Sequence, residues 1–183
     1  MKKNFVVNRR VFFGCFGLVW LAVMSFSCGN SEKPQVTINE DTIKTSLIKV
    51  NKELTAKEDR AIDNYILRHE WTMQKTGTGL RYQIYKKGAG TKPRDKDKVV
   101  ISFVVSLING MECYNSKNDG MKLFELGKAQ VESGLEEGIK LMHVGDKAKL
   151  IIPSHLAFGF MGDDNKIPKR ATLVYDVELM EIK

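Results

Sequence analysis

The chain has 183 residues, 43% of them apolar, 28% charged and 9% aromatic, with four prolines and three cysteines. That is the composition of a soluble globular domain, and it excludes a collagen, a coiled coil or a disulfide scaffold. The formal net charge is +7, but Lys2, Lys3, Arg9 and Arg10 supply four of those charges and the rest lie without a basic block or an aromatic-interleaved stripe, which argues against nucleic acid as a partner.

Behind those four basic residues, Val11 to Phe26 is an apolar run without a charge. It is shorter than the roughly 20 residues of a membrane-spanning helix and carries the basic flank of an export signal. Ser25-Phe26-Ser27-Cys28 then sets small residues three and one positions before a cysteine, and this resembles a relaxed bacterial lipobox. The resemblance implies a lipoprotein signal peptide over 1–27, cleavage before Cys28, and a lipid anchor on the Cys28 thiol in the bacterial cell envelope, at the periplasmic face of the inner or outer membrane. The alternatives are a chance cysteine behind an ordinary cleaved signal and one at the end of a retained anchor helix. Cys15 leaves with the leader, so Cys113 has no internal partner and no disulfide is expected.

Residues 28–40 are polar, with Ser31, Glu32, Lys33 and Pro34, and read as a tether. A helical segment follows over 41–78. Ile43, Leu47 and Val50 fall at helical spacing, and Thr55-Ala56-Lys57-Glu58 has the form of a capping box that opens a second helix through Ile62, Tyr65 and Ile66. His69, near its end, has no second ligand in the sequence around it, and no metal is expected. Thr76-Gly77-Thr78-Gly79 lacks the lysine and the preceding strand of a phosphate cradle and reads as a linker.

Beyond the glycines the period changes to two. Leu80, Tyr82 and Ile84 alternate with polar residues, Val99 to Ile108 is an apolar strand, and Asn109-Gly110 is a hairpin signal at its end. Leu123 to Leu126 is a short strand closed by Gly127. Val131, Leu135, Ile139 and Met142 return to helical spacing, and Lys147 to Ile152 and Thr172 to Ile182 are strands. The fold class is α+β, an antiparallel sheet folded around one short helix and preceded by the N-terminal helical segment.

The order of words in this half is specific: Val131-Glu132-Ser133-Gly134-Leu135-Glu136-Glu137-Gly138, then Val144-Gly145-Asp146-Lys147 running to Pro153, then Leu156-Ala157-Phe158-Gly159, Ile167-Pro168, and Ala171 to Leu179. From residue 79 to 183 the chain resembles the FKBP-type peptidyl-prolyl cis-trans isomerases. The helix running into Thr76 to Leu80 resembles, on fewer residues, the lipoprotein branch of that family associated with gliding motility. The resemblance implies a half-open antiparallel β-sheet curled around the Val131 to Met142 helix, with an apolar pocket between them. It assigns Phe103, Tyr114, Phe158 and Tyr175 to the catalytic wall and Phe124, Val131, Glu132, Leu135 and Ile167 to substrate binding, the Glu132 backbone amide facing a substrate carbonyl.

The implied reaction is rotation about an X-Pro bond in exported or envelope proteins. Its barrier is about 18 to 20 kcal/mol, and it needs no acid, base, metal or cofactor, only a water-poor site that favours the twisted amide. Three positions depart from the family pattern. Tyr114 stands where many members carry an aspartate, Phe158 where many carry a hydrogen-bonding tyrosine, and Leu135 where many carry tryptophan, which implies weakened macrolide binding. The rival reading is a non-enzymatic chaperone or assembly module that holds clients in the same pocket.

Overall fold

The computed structural model describes residues 40–183, so the leader, Cys28 and the tether up to residue 39 lie outside the described residues. The two expected helices are one, α1 (Glu40–Arg68). No glycine or proline interrupts that stretch, and the capping box does not form. Thr55 Oγ1 donates to the Asn51 carbonyl at 3.0 Å, the habit of a hydroxyl inside a helix rather than at its start. The Glu58 carboxylate turns away from Thr55 and accepts from Ser154 N at 2.7 Å, Ser154 Oγ at 2.9 Å and Thr172 Oγ1 at 2.7 Å.

Beyond α1 run β1 (Gln74–Lys75), β2 (Arg81–Lys86), β3 (Lys98–Leu107), β4 (Glu112–Asn115), the short α2 (Ser116–Asp119), β5 (Lys122–Glu125), α3 (Ser133–Lys140), β6 (Lys147–Ile152), a 3-10 turn (Ser154–Leu156) and β7 (Leu173–Ile182). The strands form one antiparallel sheet in the order β1-β2-β6-β7-β3-β4, with β5 also on β3. Thr76 to Gly79, expected to be a linker, is the turn of the β1–β2 hairpin, where Thr76 N donates to Leu80 O and Gly79 N to Thr76 O. Asn109-Gly110 turns β3 into β4, with Asn109 Oδ1 accepting from Met111 N at 3.0 Å.

The free side of β3 is shared. Its second half pairs with β4 and its first half with β5. At the junction Ser116 Oγ accepts from Phe103 N at 3.0 Å and bonds Ser102 Oγ at 2.9 Å. A hydroxyl thus satisfies the backbone where one partner strand stops and the other has not begun.

One face of the sheet carries the main core. Val99, Ile101, Phe103, Val105 and Leu107 alternate inward on β3, opposite Leu173, Tyr175, Val177 and Leu179 on β7, and Leu135 and Ile139 of α3 cover them with Met142, just past the end of that helix. This is the expected sheet curled around a short helix. The close approach of α3 to β6 depends on two glycines one turn apart. A Cβ on Gly134 would lie 2.4 Å from Ile152 Cγ2, and one on Gly138 2.5 Å from Leu150 Cδ1. On the opposite face, Ile62 and Tyr65 of α1 bury Ile151 and Val174. The same contact is tied by Arg81, 3% exposed, which reaches Asp59 at 3.1 Å and Asp63 at 3.0 Å. His69 caps this packing, stacked on Tyr65 at 4.0 Å between centroids, its Nδ1 at 2.9 Å from the Tyr65 carbonyl.

Candidate active site

A cavity of about 490 Å³ opens on the concave side of the sheet. Phe103 and Val105 of β3 and Tyr175 of β7 form its floor, Glu132 just before α3 and Phe158 after the 3-10 turn close two sides, and Tyr114 of β4 stands opposite. The pleat explains the floor: Val105 pairs with Tyr175 across the β3–β7 register, and Phe103 lies two residues along the same face, its ring centroid 6.4 Å from that of Tyr175. Apart from Met121 and Gly120, the remaining wall is polar. Asp119, Gly120, Met121 and Lys122 come from the passage between α2 and β5, and Asp163 and Asn165 from the connection between β6 and β7.

Five of the nine residues proposed from sequence therefore meet here: Phe103, Tyr114, Glu132, Phe158 and Tyr175. Phe124, Leu135 and Ile167 lie in the adjoining core with exposures of 3%, 0% and 3%, and Val131 packs against that core. The pleat of β5 accounts for Phe124. Phe124 pairs with Val99, whereas Lys122, on the same face, pairs with Ile101 one step nearer Phe103. Lys122 therefore reaches the cavity, with Nζ 5.7 Å from the Phe103 centroid. Sequence reasoning passed over Lys122 and Met121, which carry only the alternation of a strand edge, and over Asp163 and Asn165, for which a polar run just before Ile167-Pro168 was the available signal.

Tyr114 does not leave the rim without a hydrogen bond. Its hydroxyl donates to the Asp163 carboxylate, which also accepts from Ile167 N at 2.7 Å and Asn165 N at 2.9 Å. Asn165 Nδ2 donates back to Tyr114 Oη at 3.3 Å, and Lys166 Nζ lies 4.9 Å from the Tyr114 centroid. Burial works against the charge on Asp163, but these hydrogen bonds outweigh it and hold the carboxyl below its ordinary range. The bond to Asp163, together with some burial, pushes the Tyr114 phenol up. The aspartate of the rim thus comes from the β6–β7 connection, and Tyr114 ties that connection to β4.

Deeper in the cavity, the Tyr175 hydroxyl donates to Glu132 Oε1 at 2.9 Å. Burial first, then the charge of Glu132 and the bond to it, push the Tyr175 phenol well above its usual range. Tyr175 is therefore a donor throughout the physiological range. Chemically the site offers aromatic and aliphatic surface, a tyrosine locked onto a carboxylate, and a polar rim. Among the described residues no group of three histidines, cysteines or carboxylates is placed to hold a metal ion. A second concavity, about 380 Å³, lies where α1 meets residues 168–172; Lys57, Glu58, Lys169 and Arg170 give it a charged wall, and none of the nine residues reaches it.

Comparison with known proteins covers most of the chain. A family model described as FKBP-type peptidyl-prolyl cis-trans isomerase matches residues 89–180. The FKBP-type peptidyl-prolyl cis-trans isomerase FkpA of Escherichia coli is 36% identical over 154 residues, which covers 79% of this chain and 56% of that protein. The probable FkpA of Neisseria meningitidis is 41% identical over 108 residues, 58% of this chain and 39% of its own. The chain thus spans little more than half the length of the first relative and about two fifths of the second. Among solved structures, the crystal structure of Escherichia coli FkpA aligns with a TM-score of 0.61 at 33% identity, over 79% of this chain and 71% of that one. That of AtFKBP13 aligns with a TM-score of 0.58 at 26% identity, over 62% of this chain and all of the other.

Proposed function

The chain belongs to the FKBP-type peptidyl-prolyl cis-trans isomerase family, and from that membership we propose that it accelerates X-Pro bond rotation in exported or envelope proteins. The observation that carries this reading is the wall of Phe103, Val105, Phe158 and Tyr175 around one cavity. A planar X-Pro amide is held by resonance that places charge on the carbonyl oxygen, and water stabilises that charge. An apolar cavity that grips the proline ring and sheds this water raises the planar form relative to the twisted one, so binding energy lowers the barrier without proton transfer. Phe103, Phe158 and Tyr175 act here as catalytic surface. Tyr114 acts as a positioning residue, fixing the segment that carries Phe158 and Ile167.

In this proposal the isomerase domain is residues 79–183, residues 41–78 are a helical segment that backs the sheet, and residues 1–27 and 28–40 are leader and tether. Anchoring at Cys28 and residence at the envelope rest on Ser25 to Cys28. Among the described residues no helix is long and apolar enough to cross a membrane. Kinship with the gliding-motility branch rests on Thr76 to Leu80. Macrolides bind weakly in this reading, because Phe158 has no hydroxyl and the Tyr114 hydroxyl is committed to Asp163.

The test is the cis-to-trans rate of a proline peptide in the presence of the full-length chain, with Phe158→Ala as the comparison. Phe158 is half-buried on a connection rather than in the core, so its truncation should spare the fold while lowering kcat/KM about tenfold, equivalent to about 1.4 kcal/mol of transition-state stabilisation. A folded wild type that binds the peptide without changing its rate is a holding module and not an isomerase.

A further inference from the structure

We propose that Glu132 selects substrates: its free carboxylate oxygen accepts a hydrogen bond from a basic side chain on a residue flanking the substrate proline. This rests on the cavity being the X-Pro site. Glu132 is 8% exposed, yet it lines the cavity. One oxygen, Oε1, is taken by the Tyr175 hydroxyl. The other, Oε2, is the buried side-chain nitrogen or oxygen that has no hydrogen-bond partner among the described residues. Buried acceptors almost always have a partner, and a carboxylate without one carries a desolvation cost. Because Glu132 is a wall residue of the cavity, a ligand seated there is positioned to bring the missing donor.

The surrounding charges decide which donor. Besides Glu132, the cavity wall carries Asp119, Asp163 and Lys122. Asp163 is occupied by Tyr114 and two backbone amides, and Asp119 Oδ2 accepts from Asn115 N at 2.8 Å. The Lys122 ammonium leans over the Phe103 ring, and no ion pair joins it to Glu132. Three carboxylates against Lys122 and the Lys166 ammonium over the Tyr114 ring leave the cavity locally negative, although the whole chain is +7. With Tyr175 donating to Oε1, Oε2 is the acceptor that the Glu132 carboxylate has left to offer. A lysine or arginine beside the proline supplies a charge-assisted bond there, a neutral aliphatic residue leaves the oxygen stranded, and an acidic one adds like-charge repulsion.

The experiment uses the full-length chain and proline peptides that differ only at the residues flanking proline: lysine, norleucine or glutamate, on either side. Both kcat/KM and the dissociation constant are measured, so that binding reports on Glu132 whether or not turnover occurs. Wild type should favour lysine over glutamate about tenfold or more on at least one side of the proline, with norleucine between them. The preference should persist at about 0.5 M salt, where surface steering is screened but a buried contact is not. Glu132→Gln, which keeps the shape and an acceptor for Tyr175, should reduce the lysine-to-glutamate ratio to within about threefold. An unchanged ratio in Glu132→Gln, no charge preference in the wild type, or a preference abolished by salt would each overturn the proposal. Loss of turnover with every peptide, while the lysine preference in binding persists and disappears in Glu132→Gln, would overturn the isomerase reading and leave this one standing. The wild-type peptide series carries the test by itself should the variant fold poorly.

Discussion

Tyr175→Phe isolates one hydrogen bond at the base of the cavity. The substitution keeps the ring, and with it the packing on Phe103, but removes the hydroxyl that donates to Glu132 Oε1, while Oε2 has no partner among the described residues. Both side chains are buried, at 2% and 8% exposure, so water does not simply replace the hydroxyl. A hydrogen bond to a charged group contributes about 1.5 to 3 kcal/mol net, and a stranded buried polar group costs about 1 to 3 kcal/mol. The expected loss is therefore about 2 to 3 kcal/mol, which at about 3 °C per kcal/mol for a chain of this length lowers Tm by about 6 to 9 °C. The same change made on a Glu132→Leu background removes a hydroxyl that has lost its acceptor, and should cost less than about 1 kcal/mol. The difference, a coupling of about 1 kcal/mol or more, is the quantity to measure, by urea unfolding of wild type, both single variants and the double variant followed by far-ultraviolet circular dichroism. Strict additivity, or a loss below about 0.5 kcal/mol in Tyr175→Phe, would refute the view that Glu132 is held as a buried carboxylate by this one bond.

Gly138→Ala would place a methyl 2.5 Å from Leu150 Cδ1; despite a gain of about 1 kcal/mol in helix propensity, overpacking of about 1 to 3 kcal/mol should win, and chemical denaturation will report a net destabilisation. Glu58→Ala removes the acceptor for Ser154 N, Ser154 Oγ and Thr172 Oγ1 together; hydrogen exchange over Ile62 to Arg68 should accelerate at least tenfold as α1 loosens from the sheet, whereas unchanged protection would assign the docking to Ile62 and Tyr65 alone. Alkaline pH should destabilise the fold through its tyrosines. Burial, then the bond to Asp176 and its charge, push Tyr85 up to about 12, and Tyr175 lies well above the ordinary value. The folded state therefore holds these protons where the unfolded chain has released them. The resulting stability is complete below about pH 10, the unfolded value, and is lost as pH rises toward the folded values. Ultraviolet phenolate titration should find Tyr85 ionising near 12, and Tyr175 only on unfolding; early ionisation of Tyr175 would contradict its burial.

The sheet was legible because its strands obey a local rule. Each inward residue of β3 alternates with an outward one, and the apolar face buried on α3 leaves no other register that hides Phe103 and Tyr175 together. The helical spacing of Leu135, Ile139 and Met142 and the turn at Asn109-Gly110 were equally local. What could not be read were choices between local and distant partners. Thr55 and Glu58 have the spacing of a cap, but three donors from Ser154 and Thr172 offered Glu58 more than one backbone amide could. Phe124 and Lys122 share a face of β5, and only the register on β3 decided which of them meets the cavity. Tyr114 looked like the loss of an acidic acceptor until a loop about fifty residues later in the chain brought Asp163 to it. Pattern in a sequence determines which faces are apolar, since that depends on neighbours a few residues away. Which polar atoms meet across those faces depends on the closure of long loops, and that was decided only when the chain folded.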